Sequence, residues 1–264
     1  MRGFASLLAA SVVLAAPAAA SAAPARVASL NLCTDELLLM LGAPGQIASV
    51  THLSHQEVET PLWRQGRRHA RNDGSLLSVA GLRPDLVLTM GGGGRDRARI
   101  AARLGMRVID LPFPTRLADI EASINKVSRV LGRPERGASL LARIDALKRS
   151  APARPREAIW IGGGGISMSG DGLGAQWLAL AGLRQRALPG NRATLETLLA
   201  HPPEVLVRSD YRAGQYSGQQ RWLGHPLARA VRGGRTVRAE GRRWTCMGPL
   251  LIDEIVRLRG ELAR

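Results

Sequence analysis

Two cysteines are the residues of this chain with the clearest capacity for chemistry. Cys33 stands between an apolar run and a predicted helix, and Cys246 stands just before the last predicted helix. If the apolar runs are parallel strands, both cysteines lie in loops that face one cleft. Three states follow: a disulfide, a pair of free cleft thiols, or ligation of a bound metal centre. An exported pair of cysteines favours the disulfide without deciding between the three.

Histidines offer a second candidate chemistry. His52 and His55 lie three residues apart, and His69 falls in the same predicted loop. A zinc site needs three or four convergent ligands, and this spacing supplies two. No acidic, histidine-rich segment accompanies them. We therefore predict no metal site here and expect a structural role or a place at the edge of the ligand, with His52 as the candidate ligand contact.

Enzymatic motifs are missing from the glycine-rich segments at residues 91–94 and 162–165. Neither has the third glycine of G-x-G-x-x-G, and neither is followed by the lysine of a P-loop. The chain also lacks G-x-S-x-G, and a Cys33–His52 nucleophile pair would have no local motif to support it. The glycines instead predict tight turns that bring backbone amides close to a ligand. We predict a binding protein rather than an enzyme, with an exported α/β hydrolase or another periplasmic enzyme as the alternative.

Alternating strands and helices must position these residues. Strands are predicted at residues 26–30, 47–50, 86–90, 107–111, 157–161, 205–207 and 236–239. Helices are predicted at residues 34–41, 75–80, 96–104, 117–131, 134–149, 175–183, 194–200 and 250–262. Thr34 and Asp35 are expected to cap the first of these helices. Alternation of this kind predicts largely parallel sheets covered by helices.

A repeated segment divides the chain. Residues 76–88 and 195–207 both read as a short helix, a turn containing proline and an acidic residue, and a buried strand. We therefore predict two Rossmann-like α/β lobes, at residues 24–116 and 151–264, with a helical connector at 117–150. Its helix at 134–149 would be about 24 Å long and could bridge the lobes. A ligand cleft is expected between them.

The N-terminal residues resemble an export signal. Arg2 precedes a short apolar stretch, and small residues follow, so we expect residues 1–23 to be cleaved and the mature chain to be a soluble periplasmic protein. The net charge is +16. Its 37 basic residues are scattered and aromatic residues make up only 3%, which argues against nucleic acid as the partner.

Loops after the predicted strands should line the cleft, because ligands bind at the carboxyl ends of parallel strands. Aromatic faces there can stack on flat ligands, and guanidinium groups can pair with carboxylate or catecholate oxygens. The candidate ligand-binding residues are Asn31, Cys33, Thr51, His52, Arg71, Asn72, Met90, Arg95, Trp160, Ser169, Tyr211, Arg212, Arg243, Trp244 and Cys246. Trp177, on an apolar helix, is predicted to lie in the core.

Three segments carry a resemblance to a known family. They are Arg26-Val-Ala-Ser-Leu-Asn-Leu-Cys-Thr-Asp-Glu-Leu37, Leu82-Arg-Pro-Asp-Leu-Val87 and Ser169-Gly170. Together with the paired lobes, they resemble periplasmic substrate-binding proteins of iron-siderophore and vitamin B12 ABC importers. The resemblance implies the class III periplasmic binding protein fold, with a single helix joining the lobes. It also implies a monomer without a cofactor that delivers its ligand to an inner-membrane permease.

The resemblance further implies ligands and a docking residue. A ferric siderophore or a cobalamin-type corrinoid is expected, with haem or a free divalent metal as alternatives, and Cys246 lies near a ligand-contacting position of the B12 receptor. Each lobe of such receptors offers a glutamate to the permease near the start of the repeated helix. Glu196 holds that position in the second copy, whereas Leu77 replaces it in the first.

Overall fold

The computed structural model describes residues 23–92, 94–212, 214 and 217–264, with the backbone alone for 94–97. The predicted leader falls outside these residues apart from Ala23, and so does the side chain of Arg95.

A five-stranded parallel sheet organises the first half of the chain. Its strands are β1 (Val27–Ser29), β2 (Ile47–Thr51), β3 (Ala70–Asn72), β4 (Leu86–Met90) and β5 (Arg107–Leu111), in the order β3-β2-β1-β4-β5. Central strands β1 and β4 are buried along their whole length, as expected for strands covered by helices on both faces. The strand order reverses between β1 and β4, which opens a crevice at their carboxyl ends.

Four helices accompany this sheet: α1 (Leu32–Leu41), α2 (Trp63–Gly66), α3 (Leu76–Ala80) and α4 (Gly94–Arg103). The predicted cap of α1 is wrong. Asn31 is the N-cap, since its side-chain oxygen accepts a hydrogen bond from the Cys33 amide at 2.8 Å, and Thr34 and Asp35 lie inside the helix. Ser75 caps α3, because its hydroxyl accepts a hydrogen bond from the Ser78 amide at 3.2 Å.

Two longer helices connect the halves. Helix α5 (Leu117–Val130) packs on α1, and α6 (Pro134–Arg149) follows after a tight turn and packs on α5. The observed bounds of α6 equal the predicted ones, because Pro134 suits the first turn and Arg149 precedes a proline-rich stretch.

A four-stranded parallel sheet organises the second half. Its strands are β6 (Arg156–Ile161), β7 (Leu183–Gln185), β8 (Val205–Ser209) and β9 (Arg235–Ala239), in the order β7-β6-β8-β9. Its helices are α7 (Leu173–Leu180), α8 (Leu195–Ala200), α9 (Gly218–Gly224), α10 (Pro226–Arg229), α11 (Gly241–Trp244) and α12 (Leu251–Leu262). The two parallel sheets with their helices confirm the predicted α/β fold of two lobes.

One continuous apolar core spans both sheets. It includes Leu88 of β4, Ile124 of α5, Ile144 of α6 and Val207 of β8, all fully buried. Trp177 of α7 also belongs to it, as predicted, and its indole donates to the Met247 carbonyl at 2.9 Å. Within the described ranges, every helix is too short or too polar to cross a bilayer.

Candidate ligand-binding cleft

A pocket of about 440 Å³ opens at the carboxyl ends of the strands of the second sheet. Its walls come from the loop after β6, the loop after β8, and α11 with the residue that follows it. These segments converge because the strand order reverses between β6 and β8. Four of the predicted ligand-binding residues line this pocket: Trp160, Tyr211, Arg212 and Trp244.

Two indoles form the apolar wall of the pocket. The ring centroids of Trp160 and Trp244 are 6.0 Å apart and their planes are tilted by 47°. Both indole N–H groups are buried, and neither has a hydrogen-bond partner among the described residues. Because these donors are buried, the wall offers a ligand apolar ring surface rather than hydrogen bonds.

Glu59 neutralises the cationic side of the pocket from the opposite lobe. Its buried carboxylate accepts hydrogen bonds from the Tyr211 hydroxyl at 2.7 Å and from the Arg212 guanidinium at 2.5 Å. Burial and the neighbouring Glu59 raise the pKa of Tyr211, so this side chain stays a neutral phenol. The Arg212 guanidinium also lies 5.1 Å from the Tyr211 ring centroid. Sequence reasoning missed Glu59, because it stands in a loop that carries no motif.

Polar, uncharged side chains complete the lining. Five of them are Ser209, Ser217, Gln219, Gln220 and Thr245. Ser217 caps α9, and the side-chain amide of Gln220 donates from Nε2 to the Tyr211 carbonyl at 3.0 Å. Helix α9 was not predicted, so its contribution to the pocket was missed.

Glycines let the backbone of the pocket walls pack closely. Gly165 has φ +75°, and a Cβ atom there would lie 2.2 Å from the Ala193 carbonyl oxygen. A Cβ atom on Gly241 would lie 2.4 Å from the Tyr211 nitrogen. The glycine-rich segment therefore provides tight packing behind the pocket, in keeping with the turns predicted from sequence.

The corresponding crevice of the first sheet is filled by a disulfide. Cys33, after β1, is bonded to Cys246 of the other lobe, with their Cα atoms 5.2 Å apart. A narrow cavity beside the bond is lined by Leu37 and Met90, among others. Of the three predicted states the structure contains the disulfide, so Cys33 is neither a free nucleophile nor a metal ligand in this form.

The other predicted residues whose side chains the structure describes do not line the aromatic pocket. Several are held by structural hydrogen bonds: Thr51 donates to Asp35, Asn72 donates to Ser29 and Ser49, and Ser169 accepts from the Gly172 amide. Asn31 is the cap of α1. His52 and Arg71 are exposed, and Arg243 pairs with Glu240 at 2.7 Å. Ligand contact by these residues stays a prediction.

Two consecutive buried carboxyl groups, Asp35 and Glu36, lie in α1 close after Cys33. Burial raises the pKa of Asp35 to about 6, although hydroxyl donors from Ser29, Ser54 and Thr51 lower it in part. Burial raises the pKa of Glu36 to about 7, although the hydrogen bond from the Leu250 amide and the charge of Arg243 lower it in part. The Glu36 carboxylate accepts from the Leu250 amide at 3.0 Å, so it joins α1 to the segment before α12.

Metal-ligating side chains do not converge in the described part of the chain. No group of three or more His, Cys, Asp or Glu there is placed to hold a metal ion. His55 is half-buried with an unpaired Nε2 atom, and burial and nearby arginines lower its pKa. The cleft can therefore stack on, and hydrogen-bond to, an organic molecule through aromatic, hydroxyl and amide groups.

Two α/β lobes, with a pocket at the carboxyl ends of the strands, are the architecture of a receptor for small solutes. The sequence profile of the periplasmic binding protein family matches residues 27–239, and the chain belongs to this family. Proteins of this family bind small solutes and deliver them to ABC permeases.

Solved structures share the fold over nearly the whole chain. A periplasmic heme-binding protein from Pseudomonas aeruginosa is 20% identical with a TM-score of 0.64, covering 90% of this chain and 92% of its own. The periplasmic vitamin B12 binding protein BtuF of Vibrio cholerae is 16% identical with a TM-score of 0.62, at 91% and 97% coverage. CeuE of Helicobacter pylori with Ni(II) bound is 12% identical with a TM-score of 0.62, at 89% and 82% coverage. No curated protein matches the sequence.

Proposed function

We propose that this protein captures a planar metal chelate of the corrinoid or tetrapyrrole class in the periplasm and delivers it to an inner-membrane ABC permease. The observation that carries this proposal is the wall formed by Trp160 and Trp244, with Tyr211 beside it. Rigid aromatic faces stack on a flat macrocycle at little cost in conformational entropy. The solved heme and vitamin B12 receptors of the same fold support this ligand class.

The charge of the pocket supports a corrinoid over a polyanionic ferric siderophore. Arg212 is paired with Glu59, while Arg242 and Arg243 are both paired with Glu240. A tris-catecholate chelate needs several unpaired cations, whereas the amide groups around a corrin ring suit neutral hydroxyl and amide partners. A bare divalent cation is the least supported ligand, because three convergent ligands are missing from the described residues.

Native mass spectrometry of the protein purified from periplasm tests the ligand class directly. A bound corrinoid or haem mass supports the proposal, and an iron-chelate mass without a tetrapyrrole replaces it with the siderophore alternative. Calorimetric titration with cyanocobalamin, haemin and a ferric tris-catecholate then ranks the three classes.

Variants connect the binding to the pocket. Trp160→Ala and Trp244→Ala are each expected to weaken binding about tenfold, because stacked aromatic faces contribute about 0.5–1.5 kcal/mol beyond their buried area. Trp63→Ala is the matched control, since Trp63 stacks with Arg64 and Arg67 outside the pocket. Equal affinity in all three variants, or no binding of any chelate, would contradict the proposal.

Delivery is proposed to use Glu196 on α8. This side chain is exposed in the first turn of the helix, and hydrogen bonds from its own amide and from Thr194 lower its pKa. It therefore offers a permanent negative charge to a basic partner. Leu77, which holds the same position in α3, is 80% exposed and offers an apolar contact instead.

A further inference from the structure

A second pocket of the C-terminal lobe adjoins the aromatic pocket and is strongly basic. It has a volume of about 330 Å³ and shares Ser209 and Gln220 with its neighbour. Three arginines line it: Arg208, Arg229 and Arg238. Nothing derived above for the aromatic pocket uses these three side chains.

The sheet register brings two of the arginines together. Arg208 of β8 and Arg238 of β9 are partners in the parallel ladder, so both lie on the same face of the sheet. The preceding pair, Val207 and Val237, belongs to the main core on the other face. Arg229 is the last residue of α10, the short helix that covers the arginine face.

The charges of these arginines are not compensated within the described chain. Arg208 donates from Nη2 to the Leu223 carbonyl at 2.9 Å, but its buried Nε–H has no partner. No side-chain hydrogen bond or ion pair of Arg229 or Arg238 is formed with another described residue. Asp210 also lines the pocket, yet its Oδ1 atom accepts from the Gly241 amide at 2.7 Å and forms no ion pair with the three arginines.

Electrostatics show that the three groups act on one another. Burial, followed by the charges of Arg238 and Arg229, lowers the pKa of Arg208. Three neighbouring guanidinium groups repel each other, and an anion bound between them would relieve that repulsion. Guanidinium forks match the oxygens of phosphate and carboxylate groups in geometry as well as charge.

We propose that Arg208, Arg229 and Arg238 form an anion-binding site for a phosphate or carboxylate group beside the aromatic pocket. The anion has two sources: a free oxyanion, or an anionic arm of the chelate held in the aromatic pocket. The second source rests on the proposed function, because it requires the chelate to be bound next door. The first source does not.

Calorimetric titration with inorganic phosphate tests the site without any chelate. The variant R229Q/R238Q is expected to bind phosphate at least about tenfold more weakly, since it removes two cationic hydrogen-bond donors from the site. Both side chains are exposed, so the variant should keep its fold, which thermal melting would verify. R232Q is the matched control, because Arg232 is exposed nearby and does not line the pocket. Equal phosphate binding in the wild type and both variants indicates diffuse attraction to a basic surface and overturns a free-oxyanion site.

Cobalamin and cobinamide distinguish the two sources. Cobalamin carries a phosphodiester in its nucleotide loop and cobinamide lacks that loop. If the site holds an arm of the chelate, R229Q/R238Q weakens cobalamin about tenfold or more and leaves cobinamide unchanged. If neither chelate nor phosphate depends on the arginines, the proposal is overturned. If no chelate binds to the wild-type protein, the proposed function fails while the phosphate titration still decides the anion site.

Discussion

At the scale of single residues, Glu59 sets the charge of the cleft. Among the described residues of the pocket lining, Arg212 is the one cation, and the carboxylate of Glu59 from the other lobe neutralises it. The same carboxylate fixes the Tyr211 hydroxyl. The aromatic pocket, where arginines were expected to pair with ligand oxygens, is therefore nearly neutral, while three arginines without a counter-ion among the described residues lie in the adjoining pocket.

Glu36 predicts a dependence of stability on pH. Its pKa in the folded state, about 7, lies above the ordinary value of 4.5, so the folded state holds this proton more strongly than the unfolded state. The stabilising contribution of the protonated Glu36 to the free energy of unfolding is fully present below about pH 4.5. It is lost as pH rises through about 7. Asp35, with a pKa raised to about 6, acts in the same direction at lower pH.

Glu36→Gln should remove the larger part of this dependence. The amide keeps the acceptor for the Leu250 N–H and cannot ionise. In both proteins the free energy of unfolding should fall from pH 5 to pH 8. We expect this loss to be smaller in the variant than in the wild type, by on the order of 1–3 kcal/mol. Urea unfolding at both pH values measures this difference.

Glu135→Gln is the control for that experiment. Glu135 is exposed and its pKa is lowered by Arg133, so it stays ionised throughout this range. Its variant should follow the wild-type pH dependence. Parallel curves for Glu36→Gln and the wild type would show that Glu36 is already ionised at pH 5 in the folded protein.

At the scale of elements, the turn after β6 depends on a backbone that only glycine adopts easily. Gly165→Ala places a Cβ atom at a positive φ and against the Ala193 carbonyl. The free energy of unfolding should fall by about 2–4 kcal/mol, because the turn must shift away from residue 193. Chemical denaturation measures the loss, and chelate affinity should fall with it because the turn supports the Trp160 wall.

Gly260→Ala is the control for this prediction, because it should slightly stabilise the protein. Gly260 lies inside α12, and a Cβ atom there meets nothing within 4 Å. Alanine favours a helix interior by roughly 0.5–1 kcal/mol over glycine, so this variant should be slightly more stable than the wild type. Similar destabilisation by both substitutions would contradict a special role for the turn.

The repeated helices α3 and α8 predict an asymmetric contact with the permease. Glu196→Gln should reduce uptake of the ligand severalfold in cells that depend on this protein, because a charged contact to the permease is lost. Chelate affinity, measured by calorimetry, should stay unchanged. Glu204→Gln, an exposed substitution in the same lobe, should leave uptake at the wild-type level, and equal uptake in the two variants would rule out docking through Glu196.

At the scale of the whole molecule, the lobes are fastened on both sides of the cleft. The Cys33–Cys246 bond joins them at one side, and Glu59 contacts Tyr211 and Arg212 at the other. The disulfide closes a loop of 213 residues in the sequence, which strongly restricts the unfolded chain. Such a molecule is expected to bind ligand with little rearrangement of its lobes.

Removing the bond should destabilise the protein without abolishing the fold. The double variant Cys33→Ser/Cys246→Ser should lose about 2–5 kcal/mol in the free energy of unfolding. Reductant should lower the stability of the wild type by a similar amount and leave the variant unaffected. A variant as stable as the oxidised wild type would show that the bond does not constrain the chain.

Sequence alone predicted the long apolar elements and missed the short polar ones. Strands β4 and β5 and helix α6 have the predicted bounds, because apolar runs, glycine and proline mark their ends. Edge strands β3 (Ala-Arg-Asn) and β7 (Leu-Arg-Gln) were missed, since three residues of this composition become strands only through pairing with a neighbour. Helix α9 was missed because glycine stands at both of its ends.

The sequence by itself determined the two α/β lobes, the repeated helix-turn-strand segment and the loops in which a ligand would lie, because these follow from local periodicity and from the rule that parallel strands end at one edge. Only the tertiary structure decided which loop residues meet. It joined Cys33 to Cys246, paired Arg212 with Glu59 across the lobes, and left Arg208, Arg229 and Arg238 together without a counter-ion among the described residues. Such pairings depend on strand register and on the packing of lobes far apart in sequence, and no local pattern encodes them.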